Sequence, residues 1–383
     1  MAARSSALVV AFVTGACAAG PAATPSPAAP PAPATAPAPA PAPLPSAAAV
    51  PPPPSAAPAP AAPPTPLPRA LARGAGTPAD RALADGDAAF ERGDFGAAKR
   101  HYEKAASLDP KDASAVVGVV RAEFELSNLD VVLGGSPNDR RLVALLARLE
   151  SAKGLDPASG PVELERGKIF FVLGRADEAI RALERSVALR PNDVDANTML
   201  GVALMSVGAS ERALPSLEQA TALEPNSAEA FTNLGTARLL LGRVGEAVSA
   251  FERAAALSPD DARVHSDLGT AYSTQGQIDK AVVELRRATE LDPKRATFHS
   301  NLAHALELRG ELDLALKSAK KATELDPKLG SAWLNLGTAS AKKGDYAAAR
   351  RAFEKARSLD STDPRPKANL EELDALEKAK PSR

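Results

Sequence analysis

Four polar residues, Asn233, Asp267, Asn301 and Asn335, follow one another at intervals of 34 residues. A second file, Thr236, Thr270, His304 and Thr338, keeps the same interval three residues further on. An amide side chain carries both a donor and an acceptor, so a row of Asn can pair with the backbone of an extended peptide whatever its side chains. That is the chemistry of recognition, and the residues of bond-making chemistry are not gathered beside it. The chain has no Gly-x-x-x-x-Gly-Lys phosphate loop and no His-Glu-x-x-His zinc pair. Ser318-Ala-Lys-Lys321 and Ser340-Ala-Lys-Lys343 satisfy a Ser-x-x-Lys spacing, but both lie in charged helical stretches that read as solvated faces. His265 and His299 occupy one helix-packing place in successive repeats and read as packing, not as metal ligands. The sequence therefore implies no enzyme, no cofactor and no metal.

The interval of 34 belongs to the whole array. With the Pro that closes most units taken as position 32, units begin at Ala79, Ala113, Gly160, Val194, Ala228, Ala262, Ala296 and Gly330. The single irregular step, 47 residues from Ala113 to Gly160, puts 13 extra residues in the second unit, where Leu129 to Asp139 reads as an elongated turn. Small residues recur at position 8 (Gly86, Gly167, Gly201, Gly235, Gly269, Ala303 and Gly337) and at positions 20 and 27. Large ones at position 24, such as Tyr102, Leu183, Leu217, Phe251, Leu285 and Phe353, fill what the small ones leave. This is the pattern of two antiparallel helices in close approach, with Gly at position 15 ending the first. Pro364 to Lys380, with Leu370, Leu373 and Leu376, reads as a polar-backed helix closing the stack.

The unit at 330 carries Trp333 at position 4, Leu336-Gly337 at 7 and 8, then Ala349, Phe353 and Ala356. It resembles the tetratricopeptide repeat family. The resemblance implies an all-α fold, a right-handed superhelical solenoid of antiparallel helix pairs, with about eight units over 69–363 and a capping helix and tail over 364–383. In that family the concave face is lined by positions 2, 5, 6, 9, 12 and 13 of the first helices. The two polar files are positions 6 and 9, so the resemblance makes Asn233, Asp267, Asn301, Asn335, Thr236, Thr270, Thr338 and His304 a groove for a protein or an extended peptide. The Asn file is similar to the Asn-lined repeat groove of O-linked N-acetylglucosamine transferase, which leaves a substrate-recruiting subunit of an enzyme complex as an alternative. Basic residues at the positions of the family's carboxylate clamp read as Lys168 and Arg263 alone, three units apart, which disfavours a clamp. The first half differs, with Leu83, Phe90, Leu164, Phe171, Val172 and Met205 at inner positions. Such an apolar strip is either a partner site or the inside of a tightly wound superhelix.

Charge separates the chain into two zones: of its 46 basic and 47 acidic residues, only Arg4 precedes residue 69. The balance that remains excludes a nucleic-acid groove, which needs a cationic excess. The one cysteine excludes an internal disulfide framework. Arg4, the apolar run Ala7 to Val13 and the small residues before Cys17 read as an export signal over 1–16, too short to span a membrane. Cys17 directly after Gly15-Ala16 resembles a bacterial lipoprotein site, with Thr14 departing from that pattern; a cytoplasmic chain whose apolar start is no signal is the alternative. The expected location is the periplasmic face of the outer membrane, through a lipid on Cys17. Residues 17–68 hold 21 of the 35 prolines from Pro21 onward and read as a disordered or polyproline-like spacer, able to reach roughly 150 Å. Neither the partner nor an oligomeric state is named by these residues.

Overall fold

The computed structural model of the chain describes residues 65–67 and 69–379, with side chains to residue 376. The export signal, Cys17 and the Ala/Pro stretch before Thr65 lie outside the described residues. Among the described residues there are 17 helices and no strand. They form an all-α repeat superhelix of helix pairs: α1 (Pro78–Glu91) with α2 (Phe95–Leu108), α3 (Ala113–Leu126) with α4 (Arg140–Leu155), and α5 (Gly160–Val172) with α6 (Ala176–Leu189). The series continues with α7 (Val194–Ser206) and α8 (Ser210–Leu223), α9 (Ala228–Leu240) and α10 (Val244–Leu257), and α11 (Ala262–Thr274) and α12 (Ile278–Leu291). The last pairs are α13 (Ala296–Leu308) with α14 (Leu312–Leu325) and α15 (Gly330–Lys342) with α16 (Tyr346–Leu359), followed by α17 (Pro364–Ala379). No described helix is long and apolar enough to cross a membrane.

Each first helix ends because a glycine turns the chain into left-handed backbone. Gly93, Gly174, Gly208, Gly242, Gly276, Gly310 and Gly344 have φ between +72° and +84°. The next residue returns its N–H to the carbonyl five residues back, as Asp94 does to Ala89 and Ala209 to Leu204. After α3 this place is taken by Asn128 (φ +51°), the non-glycine residue that tolerates this conformation best. Helix starts are capped in turn: the Asp112, Asp139, Asp193, Ser227 and Asp261 side chains accept N–H groups of the first turns of α3, α4, α7, α9 and α11.

Within a pair, position 8 meets position 24. A Cβ added to Gly86, Gly167, Gly201, Gly269 or Gly337 would come within 2.6 Å of Tyr102, Leu183, Leu217, Leu285 or Phe353. The pair α13/α14 solves the same problem the other way, with Ala303 at position 8 and only Ala319 opposite, both buried. Position 4, where large side chains were expected, does a second thing. Asn197 Nδ2, His265 Nε2, His299 Nε2 and Trp333 Nε1 all face the carbonyl of the Pro six residues earlier, at 2.8 to 3.0 Å. Three different residue types thus satisfy the same carbonyl in the turn between units.

The long second unit spends its extra residues in the turn between α3 and α4 and in lengthening both helices. The turn folds over the end of α5, where Gly134 N–H and Ser136 N–H reach the Phe171 and Val172 carbonyls at 3.0 Å. These are carbonyls of the last turn of α5, where Phe171 also accepts the Gly174 N–H. Val131 and Leu133 pack on the apolar core beneath. At the other end, Leu370 and Leu373 of α17 are buried with Leu334 and Phe353, so α17 covers the face that a ninth unit would have used.

Candidate functional site

Position 6 and position 9 side chains share one face of each first helix because helix geometry brings residues three apart together. In α13 and α15 the Asn amides are directed at the preceding unit. Asn301 Nδ2 donates to Ser266 Oγ (3.2 Å) and Thr270 Oγ1 (3.4 Å), and Asn335 Nδ2 donates to the Ser300 carbonyl (2.9 Å) and hydroxyl (3.1 Å). These two amides therefore staple neighbouring units through their donor ends.

Asn233 differs. It is buried, and its Nδ2 has no hydrogen-bond partner among the described residues. One of the two places that supply acceptors to Asn301 is occupied here by a methyl-bearing side chain, Val202 at position 9 of the preceding unit. Asp267 holds the same position one unit further on and is half-buried. Burial pushes its carboxyl up to about 7, against the pull of Arg263, with Asp261 adding to the rise. An unpartnered buried donor and a carboxyl raised by burial thus occupy one position in adjacent units.

Position 9 offers less than its composition suggests. Thr236, Thr270 and Thr338 each donate their hydroxyl to the carbonyl four residues back, at 2.8 to 3.0 Å, leaving acceptors only. His304 Nδ1 lies 3.6 Å from Glu307, which also binds Lys342. Burial pushes the Glu307 carboxyl up, but hydrogen bonds from His304 and Lys342 outweigh it and hold it below the usual carboxylate range. His265 and His299 are held by the turn carbonyls described above, and His265 Nδ1 meets Glu284 at 2.7 Å.

The N-terminal half has its own inner surface, a cavity of about 470 Å³ lined by residues such as Phe90, Val117, Leu164, Glu165 and Met199. Of the apolar strip read in the sequence as a partner site or a closed inside, Leu83, Leu164, Phe171, Val172 and Met205 are buried and Phe90 is half-buried. Part of what covers it is the chain's own segment before α1, which has neither helix nor strand. Leu71 is 6% exposed, a burial worth roughly 2 kcal/mol. Its N–H and that of Ala72 both donate to Asp87 Oδ2 (2.8 and 2.9 Å), while Tyr102 donates to Oδ1 (2.8 Å). Arg121, stacked 4.0 Å over the Phe90 ring, donates to the Arg69 carbonyl at 3.0 Å. The Arg69 side chain reaches Asp195 (3.1 Å) and Glu224 (3.2 Å), and Leu67 N–H reaches the Asn192 carbonyl (2.9 Å). Arg73 N–H and Gly76 N–H bind the Asp80 carboxylate, whose pKa the Arg73 backbone bond lowers.

Arg121 corrects the reading of Lys168 and Arg263 as the only basic residues at clamp positions, since it is position 9 of the second unit. Asp87 and Arg121 were invisible as a pair because 34 residues separate them and nothing in their local sequence marks a shared ligand.

Profiles described as tetratricopeptide repeat match residues 83–131, 164–209, 198–262, 238–305, 296–329 and 330–363. No curated protein matches the chain. Among solved structures, the APC/C hetero-tetramer Cut9-Hcn1 is similar with a TM-score of 0.57 at 17% identity, over 77% of this chain and 55% of that one. The chain thus spans about half the length of that relative. MamA is 30% identical over 44% of this chain and 92% of its own, with a TM-score of 0.40. YrrB, described as having an unusual peptide-binding site, is 25% identical over 50% of this chain and 100% of its own, also at 0.40.

Proposed function

The chain belongs to the tetratricopeptide repeat family, and from that premise we propose that it is a non-catalytic scaffold holding an extended segment of a partner protein along the concave side of its last four units. The observation that carries this reading is the buried, unpartnered Asn233 amide, with the half-buried Asp267 carboxyl, raised by burial, at the same position of the next unit. A buried donor left unmade costs about 1–3 kcal/mol, and a peptide backbone carbonyl and N–H would satisfy the two groups together. The acceptor ends of Asn301 and Asn335 extend the same backbone pairing over two further units. By this reading the chain is an adaptor or assembly factor, exported and held by a lipid on Cys17 at the periplasmic face of the outer membrane.

Two experiments test it. Affinity capture from native membranes with the full chain should retain a partner that Asn233→Ala and Asp267→Asn both lose while keeping wild-type helix content; equal capture by all three proteins would remove the reading. Asn301→Ala serves as the contrast, because it breaks a bond between units and should lower the melting temperature. Labelled palmitate should enter the wild-type chain and not Cys17→Ser, and an unlabelled, full-length, cytosolic chain would overturn the anchor. A recruiting subunit of an enzyme complex is favoured instead if the captured partner is an enzyme bound through the same residues.

A further inference from the structure

The segment from Arg69 to Gly76 lies in the N-terminal groove as a bound peptide would. Its backbone is held by groups that ignore side-chain identity: Asp87 accepts two consecutive N–H groups and Arg121 gives to a carbonyl. Its side chains are read separately. Leu71 enters the apolar core, whereas the Arg69 guanidinium pairs with Asp195 and Glu224, and the charges of Glu229 and Asp193 add to their pull. Arg73 meets Asp112 (3.2 Å) and Ser114 (3.0 Å). Two left-handed glycines, Gly74 (φ +71°) and Gly76 (φ +68°), then turn the chain out of the groove into α1. With the segment withdrawn, the buried Asp87 carboxylate would keep only the Tyr102 hydroxyl, and Leu71 would leave apolar surface uncovered. Such a site calls for another occupant of the same kind.

We propose that this groove is a recognition site for an extended segment of the pattern Arg-x-Leu-x-Arg, that residues 69–76 are its built-in occupant, and that a partner carrying such a segment binds by displacing them. The Leu supplies most of the affinity because it is the buried member. The Arg residues supply register and selectivity, their ion pairs being largely exposed. The site reaches the last four units only at Glu229 and shares none of Asn233, Asp267, Asn301 and Asn335, so either groove can fail without the other.

The probe is a fluorescent peptide with the sequence of residues 65–76, titrated against the full chain and against the full-length double variant Arg69→Glu, Leu71→Asp, whose own segment is ejected. The variant is expected to bind the peptide at least about tenfold more tightly than wild type, and a peptide bearing the same two changes is expected not to bind. Peptide binding to neither protein, or equally to both, overturns the proposal. Hydrogen exchange on the unaltered chain guards against a variant that does not fold. The Leu71 and Ala72 amides should be protected and should lose protection in millimolar peptide. Exchange at the open-chain rate, or protection that the peptide leaves unchanged, overturns it equally.

Discussion

Gly337→Ala is expected to destabilise the eighth unit by about 2 kcal/mol, and the same change is expected to stabilise it once Phe353 has been replaced by Ala. In a helix interior Ala is favoured over Gly by about 1 kcal/mol, so propensity alone predicts a gain. The added methyl, however, would lie 2.4 Å from Phe353 Cε1 and 2.5 Å from Cδ1, a contact that forces the ring or the helix to move. Overpacking of this kind costs about 1–3 kcal/mol and outweighs the helix propensity. Phe353→Ala alone should cost about 3–5 kcal/mol by leaving a cavity, but it also removes the clash. The second methyl then partly fills that space, which is the arrangement already present at Ala303 and Ala319. Trp333, the chain's only tryptophan, lies in the same helix as Gly337 and reports this unit directly. Urea unfolding followed by its fluorescence gives the four corners of the cycle, and a destabilising Gly337→Ala in the Phe353→Ala background would remove the close-approach account.

The same contact explains what could be read from the residues alone. A helix pair announces itself locally: glycine where the chain must turn left-handed, glycine or alanine where two helices touch, and an apolar residue opposite. All of these lie within one unit, so the all-α repeat superhelix was legible. Asn128 was not, because its role as the turn residue depends on α3 running one residue longer than the other first helices from α5 onward.

Site chemistry was legible to the level of a face but not of a direction. Spacing put Asn301 and Asn335 in one file, yet it did not say that their N–H groups turn toward Ser266, Thr270 and Ser300 of the preceding unit. For Asn301 that signal exists in the sequence as hydroxyl residues 31 and 35 positions upstream, but Asn335 has Ser300 35 upstream with His304 at 31, and Asn233 has Thr198 with Val202, so spacing alone does not separate the bonded amide from the unpartnered one. The segment in the N-terminal groove left no comparable sign. A stretch of Pro, Ala and Leu says that the backbone is extended; where it lies depends on Asp87, Arg121, Asp195 and Glu224, which only folding brings together.

Asp267 yields the second large effect, a fall in stability between pH 4 and pH 7 that Asp267→Asn abolishes. Its folded pKa of about 7 lies above the unfolded carboxylate value, so the folded chain holds a proton that the unfolded chain has released. Below about pH 4 both states are protonated and the group makes no difference. As pH rises through this window the folded state loses ground, and above pH 7 the loss is constant. The distance between the folded and unfolded pKa values sets a ceiling of about 4 kcal/mol; solvent reaching part of the side chain reduces this to ~2 kcal/mol. At pH 8, Asp267→Asn should therefore be more stable than wild type by that amount, while at pH 4 the two should coincide. Urea midpoints at both pH values decide it, and a parallel response of the two proteins to pH would show that Asp267 is not the group responsible. A residue that lowers stability in this way needs another reason to be there. A partner offering N–H groups or a cation would stabilise the ionised carboxylate and release its proton, so partner binding to the wild-type chain should weaken by up to about tenfold per pH unit below 7, and binding that does not change between pH 5 and pH 7 would show that Asp267 is not the contact.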